Sequence, residues 1–422
     1  MRLNAPNFEP PLDSQVRSVL DARLMRNCDQ PLAVALSGGG DSLALTLIAA
    51  AWAAHVERPL LVLTVDHRLQ PQAAAWTRAC AAVAKRLGAA FQALAWEGPK
   101  PRAGLPAAAR QARHRLLANA ARQADARVIL MGHTADDLLE AAAMRAQGST
   151  TPDPRQWAPS PVWPEGRDVF LLRPMLGVRR AALRDWLQAR GERWIEDPAN
   201  ADPAAARARA KAAAADAPTP TLTEPPAIAL AETCRFDAAC GVHLARETLR
   251  QAPFEAVQAF IAMAAVCAGG GEKRPATDRL RRVGELLRGG SALTTTLGGA
   301  RIEADDHEVR VLREPGEAGR SGLASLYLIP GVATVWDGRY EITTDRSGLH
   351  VDRSEGLARR FTAGQQMAMR NLVPKARMTL PVIVDGQEYG CPMLSPVEGV
   401  TIRPLVAHRL AAACGLIQRE PA

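Results

Sequence analysis

The run Ser37-Gly38-Gly39-Gly40-Asp41-Ser42 directly follows the apolar segment Leu32 to Leu36. Three consecutive glycines let the backbone adopt positive φ and approach a ligand closely, and a helix start supplies unpaired N–H groups. Such a loop is an anion site, with the Ser37 and Ser42 hydroxyls as added donors, and phosphate is the natural guest. A carboxylate beside a phosphate is repulsive unless a cation lies between them. Asp41 therefore reads as a magnesium ligand for a nucleotide pyrophosphate, or else as an N-cap that merely starts the helix. The run matches neither G-x-x-x-x-G-K-S/T nor G-x-G-x-x-G, which disfavours Walker-type phosphoryl transfer and dinucleotide binding.

Three later stretches carry residues of similar promise. A strand-like run ends in Val65-Asp66-His67-Arg68-Leu69. Ligands of open α/β sheets sit at the carboxyl ends of strands, so Asp66 and His67 should face the nucleotide unless they only cap the next helix. Arg110 and Arg113, three apart on an expected helix, share one face. There they could grip a polyphosphate and stabilise charge developing during its cleavage, or form a solvated basic face. Finally, Gly132-His133-Thr134-Ala135-Asp136-Asp137-Leu138-Leu139-Glu140 follows another apolar run. Asp136 and Glu140 are four apart and project from one helix face, where two acids can hold a cationic amine or a magnesium ion. His133 could polarise a phosphate or leaving group. The alternative is simple compensation of the helix dipole by acids in the first turn.

These residues need elements to position them. Leu32 to Leu36 and Leu60 to Val65 are continuous apolar runs, the pattern of strands covered on both faces of a parallel sheet. Phe91 to Trp96 and Val128 to Met131 are weaker runs of the same kind. Ala-rich segments of helical length, Leu43 to Ala54, Gln72 to Leu87 and Pro106 to Ala124, lie between them, and a further helix should start near Ala135. The alternation predicts an α/β domain with a doubly wound parallel sheet. Residues 148–168 are proline-rich and read as an irregular loop. Ordered chain resumes at Val169 to Leu172 and an amphipathic helix around Arg179 to Arg190. Residues 203–217 are nearly all Ala and Arg and read as a helix. The proline-rich stretch 218–226 reads as a linker, which divides the chain into a first domain at 1–217, a mostly helical segment at 227–315 and a β-rich domain at 316–422. Within the later half, Leu297 to Leu312 reads as a hairpin.

A chain of 422 residues exceeds what one core usually holds. The net charge of +8 suits a polyanionic partner, although a general bias toward arginine would produce the same figure. Seven cysteines are scattered without any C-x-x-C pair, so no zinc ribbon, iron-sulfur site or disulfide framework is indicated. No secretory apolar region opens the sequence, and no stretch offers eighteen unbroken apolar residues. A soluble, cytoplasmic protein is expected.

The S-G-G-x-D-S run after the first strand resembles the PP-loop superfamily, whose members cleave ATP between the α and β phosphates and adenylate an oxygen. Taken in order, S-G-G-x-D-S, V-D-H-x-L, A-R-x-x-R and G-H-x-A-D-D-x-x-E resemble the tRNA(Ile)-lysidine synthetase family. The likeness continues through Arg173-Pro174-Met175-Leu176, with Arg179 behind it, to Asp197-Pro198-Ala199-Asn200 and Asp202. It implies a PP-loop (HUP-like) N-terminal fold, with helical and mixed α+β C-terminal domains. It also implies ATP and Mg2+ as cofactors, and as substrates free L-lysine and a tRNA(Ile) with a CAU anticodon. The implied reaction adenylates the carbonyl oxygen at carbon 2 of the wobble cytidine, releasing pyrophosphate, and then replaces that oxygen with lysine, releasing AMP. Carried over residue by residue, Ser37 to Ser42 with Asp66 and His67 would bind ATP, and Asp41 would hold the metal. Arg110, Arg113, His133 and Asp136 would act in catalysis beside Asp41, while Asp136, Asp137 and Glu140 would bind lysine. Two departures stand out: Arg207-Ala208-Arg209-Ala210-Lys211 replaces the family's R-N-x-I/L-R, and Ala141 replaces a threonine. A tRNA thiolase of the same superfamily and a non-catalytic tRNA-binding homologue are the competing readings.

Overall fold

The apolar runs of the first half fold as strands. They are β1 (Leu32–Ala35), β2 (Leu60–Asp66), β3 (Ala90–Ala95), β4 (Val128–Leu130), β5 (Trp157–Pro159) and β6 (Phe170–Leu172). The central ones, β1, β2, β4 and β6, are largely buried, while the edge strand β3 is half-exposed. In the computed structural model, which describes residues 11–149, 153–196, 217–316 and 323–422, they form one sheet in the order β3-β2-β1-β4-β6-β5. All neighbours are parallel except β5, which pairs antiparallel with β6 and forms an edge. β5 lies inside the proline-rich stretch expected to be irregular. Trp157 stacks on Phe170 at 5.0 Å between ring centroids, and this aromatic contact supports the short strand.

Among the described residues, the helices that accompany the sheet are α1 (Leu12–Arg23), α2 (Gly40–His55), α3 (Ala73–Arg86), α4 (Leu105–Gln123), α5 (Ala135–Ala146) and α6 (Arg180–Gln188). Ala33, Leu61, Leu63, Ile129 and Leu171 face α4, where Leu117, Ala120 and Ala121 complete a core. Alternate residues Leu32, Val34, Val62 and Leu130 are equally buried on the opposite face, as strand periodicity requires. There α2, apolar almost all round, packs on β1 and β2 and is itself covered by α1 and α6. Residues 203–217 and the Asp197 to Asp202 stretch lie outside the described residues, apart from Ala217.

The chain divides into two units, Met1–Pro225 with Ile417–Ala422, and Pro226–Leu416. The tail of the first unit is held by charge: Glu420 pairs with Arg58 at 2.7 Å, both side chains almost wholly buried. Arg58 also donates to the carbonyls of Gln30 and Met25, so its guanidinium is well satisfied.

In the second unit, β7 (Arg235–Phe236), β8 (Val242–Ala245), β9 (Leu293–Leu297), β10 (Ala300–Ala304) and β11 (Glu308–Arg313) form an antiparallel sheet ordered β7-β8-β11-β10-β9. Helices α7 (Arg246–Gln251), α8 (Phe254–Ala268) and α9 (Thr277–Arg288) accompany it, and the buried α8 supplies much of the core. Segment 227–315, expected to be mostly helical, thus carries a sheet as well. Beyond the expected hairpin, β9 has no clean apolar alternation and β7 only two residues, so neither carries a local sequence signal. The expected hairpin is β10 with β11, and β9 extends it on the other side. Residues 326–404 add a four-stranded and a three-stranded sheet.

Candidate active site

The strand order reverses at β1: the chain runs outward through β2 and β3, then returns to the other side of β1 as β4. Loops leaving β1 and β4 therefore meet at the carboxyl ends of the sheet, where α/β folds hold ligands. Their approach is close. A Cβ added to Gly132, in the β4 loop, would lie 3.0 Å from Ser42 Cα and 3.1 Å from its nitrogen.

In the β1 loop, Gly38 has φ of +88°, a conformation that needs glycine. Gly39 is the N-cap of α2, so Asp41 lies in the first helical turn and is not the cap. The loop is braced from within. Ser37 N–H donates to Ser42 Oγ (3.2 Å), and Ser42 Oγ donates to Gly39 O (2.9 Å). The Ser42 hydroxyl thus faces the loop's own backbone, while Ser37 is exposed. Ile195 N–H donates to Gly38 O (2.9 Å), and Ile195 and Trp194 lie over Gly38 and Gly40. Gly38 and Gly40 thus have a packing role.

Acidic residues gather beside this loop. Thr134 caps α5 with Asp137 as its capping-box partner, whose Oδ2 accepts from Thr134 N–H (2.8 Å). Asp136 turns toward α6, accepting from Arg180 N–H (2.7 Å) and lying 3.3 Å from Arg179. The Arg180 guanidinium joins three carboxylates: Asp41 (2.9 Å), Glu140 (3.0 Å) and Asp137 (3.6 Å). Burial, helped by the charge of Asp137, lifts the Asp41 carboxyl above its ordinary value, against the opposing pull of Arg180. The same carboxylates hold Arg180 firmly charged in spite of its burial.

The basic residues sit on the adjoining side. Buried Arg173, the residue after β6, donates through Nε to His133 Nδ1 (3.2 Å) and through a terminal nitrogen to Arg155 O (2.8 Å). Because a guanidinium only donates, a neutral His133 carries its proton on Nε2. Burial and the charges of Arg110 and Arg113 pull Arg173 down to about 10, and Asp137 opposes them. His114, buried on α4 between these cations, is pushed down to about 2 by desolvation and then by Arg113, Arg110, Arg173 and His133. Its Nε2 is a buried polar atom without a hydrogen-bond partner. His67 is lowered by burial and by Arg113, and its ring meets Trp96 edge-on at 6.1 Å. Asp66 accepts from Arg68 N–H (2.7 Å), closing the turn after β2.

At the ends of β1 and β4, Asp41, Asp136, Asp137 and Glu140 thus gather around Arg179 and Arg180, and the neighbouring His133 accepts from Arg173, while Asp66 at the end of β2 is tied to its own turn. No group of three or more His, Cys, Asp or Glu side chains among the described residues is arranged to hold a metal ion by itself.

A PP-loop domain model matches residues 12–215. A tRNA(Ile)-lysidine synthase of Caulobacter vibrioides is 47% identical over 413 residues, covering 96% of this chain and 98% of the relative. The synthase of Hyphomonas neptunium is 36% identical over 314 residues, covering 70% and 84%. The chain belongs to the tRNA(Ile)-lysidine synthase family. The PP-loop domain of this family uses ATP, and here it coincides with the unit that carries the loop at Ser37. Among solved structures, a tRNA thiolase of Methanococcus maripaludis is similar at a TM-score of 0.40 and 15% identity, over 49% of this chain and 72% of that one.

Arg180, Arg173, His114, Trp194 and Ile195 join this site although the sequence alone gives them no role. Arg173 carried a usable signal, since a charged residue ending a buried strand is placed by the same rule as Asp66. Arg180 carried little, because one arginine in a chain with 52 basic residues does not stand out.

Proposed function

We propose that this chain is an ATP-dependent tRNA(Ile)-lysidine synthase acting on the wobble cytidine of a CAU-anticodon tRNA, with free lysine as the second substrate. The observation that carries the proposal is the meeting of a basic and an acidic side at one set of strand ends. Arg110, Arg113 and Arg173 lie close enough to depress one another's charge, an arrangement that a bound polyanion would relieve. Asp137 and Glu140 with Asp41 likewise suit a cationic group.

In this reading the loop from Ser37 to Ser42 receives the nucleotide phosphates, with Asp66 and His67 at its flank. The cytidine O2 attacks the α-phosphorus, the bond to the β-phosphate breaks, and pyrophosphate leaves. Arg110 and Arg113 offset the charge that grows on the departing phosphates, and His133 can donate from Nε2. Asp136, Asp137 and Glu140 receive the lysine ammonium, and a carboxylate takes its proton. The amine lone pair then attacks carbon 2, and AMP departs with the former carbonyl oxygen. Positioning and electrostatics supply the catalysis. Mg2+ commonly binds through one or two carboxylates plus substrate phosphates and water. Asp41, beside the phosphate loop, fits that role, and the ion would neutralise phosphate charge.

Cytoplasmic location belongs to the same proposal, as the place of a tRNA substrate; no helix among the described residues is long and apolar enough to cross a membrane. Mass analysis of the anticodon fragment after reaction with tRNA(Ile), ATP and lysine tests the reading. A lysine adduct on the wobble cytidine is expected. Exchange of oxygen for sulfur, or an unmodified base under conditions where ATP binds, would overturn it.

A further inference from the structure

Arg180 stands where a substrate cation would have to go. Its guanidinium reaches Asp41, Glu140 and Asp137 at 2.9, 3.0 and 3.6 Å, with only 16% of the side chain exposed. Its backbone is fixed, because Asp136 accepts the Arg180 N–H at 2.7 Å at the first residue of α6. The side chain, in contrast, is long and can turn away without unwinding the helix. Buried carboxylates left without a counter-cation are strongly unfavourable, so these acids require a partner whether or not a ligand is bound.

We propose that Arg180 is a tethered counter-cation for the acidic pocket, displaced when the lysine ammonium arrives, and therefore a residue that sets affinity and selectivity for the amine substrate. The inference rests on the proposed function above. Two consequences follow. Part of the intrinsic attraction of Glu140 and Asp137 for lysine is offset by the internal pair that must be broken. An amine that cannot replace all of the guanidinium's contacts is thereby rejected, so the competition sharpens selection.

The test is lysine binding to the whole chain by isothermal titration calorimetry, with wild type, Arg180→Ala and Arg180→Lys, each checked for folding by its thermal melt. Arg180→Ala should bind lysine about tenfold more tightly, as expected for losing one internal competitor worth about 1.4 kcal/mol. It should also bind shorter diamines that wild type excludes, while kcat for lysine transfer falls. Millimolar guanidinium should restore wild-type affinity to Arg180→Ala, and Arg180→Lys should lie between the two. Unchanged or weaker lysine binding in folded Arg180→Ala would overturn the proposal. If Arg180→Ala does not fold, Arg180→Lys decides: affinity equal to or weaker than wild type overturns it. Wild-type protein that transfers no lysine to tRNA would instead defeat the functional reading on which the inference rests.

Discussion

Gly132→Ala adds one methyl group and removes no functional group, yet it should cost most of the activity. The built Cβ lies 3.0 Å from Ser42 Cα, 3.1 Å from Ser42 N and 3.3 Å from the carbonyl carbon of Asp41. Comfortable carbon contacts are about 3.5–4.0 Å, so the β4 loop and the first turn of α2 must part by about 0.5 Å. Both obstacles are backbone, which cannot swing aside as a side-chain tip can. Overpacking of this kind costs about 1–3 kcal/mol, a drop in Tm of about 2–12 °C for a unit of this size. The same displacement moves Asp41 relative to His133. A misplacement of about 1 Å can cost about 100-fold in rate, so half of that corresponds to about tenfold in kcat. Pyrophosphate release at saturating ATP, tRNA and lysine, measured alongside a thermal melt, reads both effects. Wild-type turnover in the variant would refute the claim that this contact registers the two loops.

Asp41→Ala should abolish pyrophosphate release while tRNA binding, followed by filter retention, survives; equal loss of both would contradict separate nucleotide and RNA surfaces. Glu420→Ala should destabilise the first unit by about 3 kcal/mol in urea denaturation, because Arg58 is left buried with only two carbonyl partners. An unchanged midpoint would show that the pair contributes nothing. In the second unit, burial alone would lower His243, but Asp237 at 2.9 Å and Glu308 raise it above 6.5. Its contribution to stability is therefore complete below about pH 6.5 and is lost as pH rises through the raised value. Burial would raise Asp237, yet His243 and the N–H groups of Gly241 and Ala239 lower it, so its contribution is lost only as pH falls through that depressed value. Calorimetry of the wild type should show a gain in Tm for the second unit on going from about pH 8 to about pH 6, and His243→Gln should flatten it. An unaltered pH profile would exclude the pair as its source.

Much of the first unit was legible because its signals are local. Leu32 to Leu36 is apolar throughout and Leu60 to Val65 is broken only by Thr64, a pattern that suits short strands covered on both faces. The glycine run marked a tight turn at the start of α2, and the four-residue spacing of Asp136 and Glu140 placed both acids where α6 meets them, Asp136 at the Arg180 N–H and Glu140 at its guanidinium. What escaped depends on distant chain. Glu420 and Arg58 are 362 residues apart, and nothing near either one announces the partner. Arg180 is visible only once α6 lies against α2 and α5, where it turns three acids into one ion network. The inward turn of Ser42 and the closure of Ile195 on Gly38 likewise arise from packing. His114 reads as an ordinary member of a basic helix until its burial between Arg110, Arg113 and Arg173 is known.

The central claim is most directly tested with the whole chain, a tRNA(Ile) transcript bearing CAU, ATP and labelled lysine. Incorporation of one lysine per tRNA, matched by one pyrophosphate and one AMP, is the predicted result. Absence of label in the tRNA while ATP remains bound would contradict it.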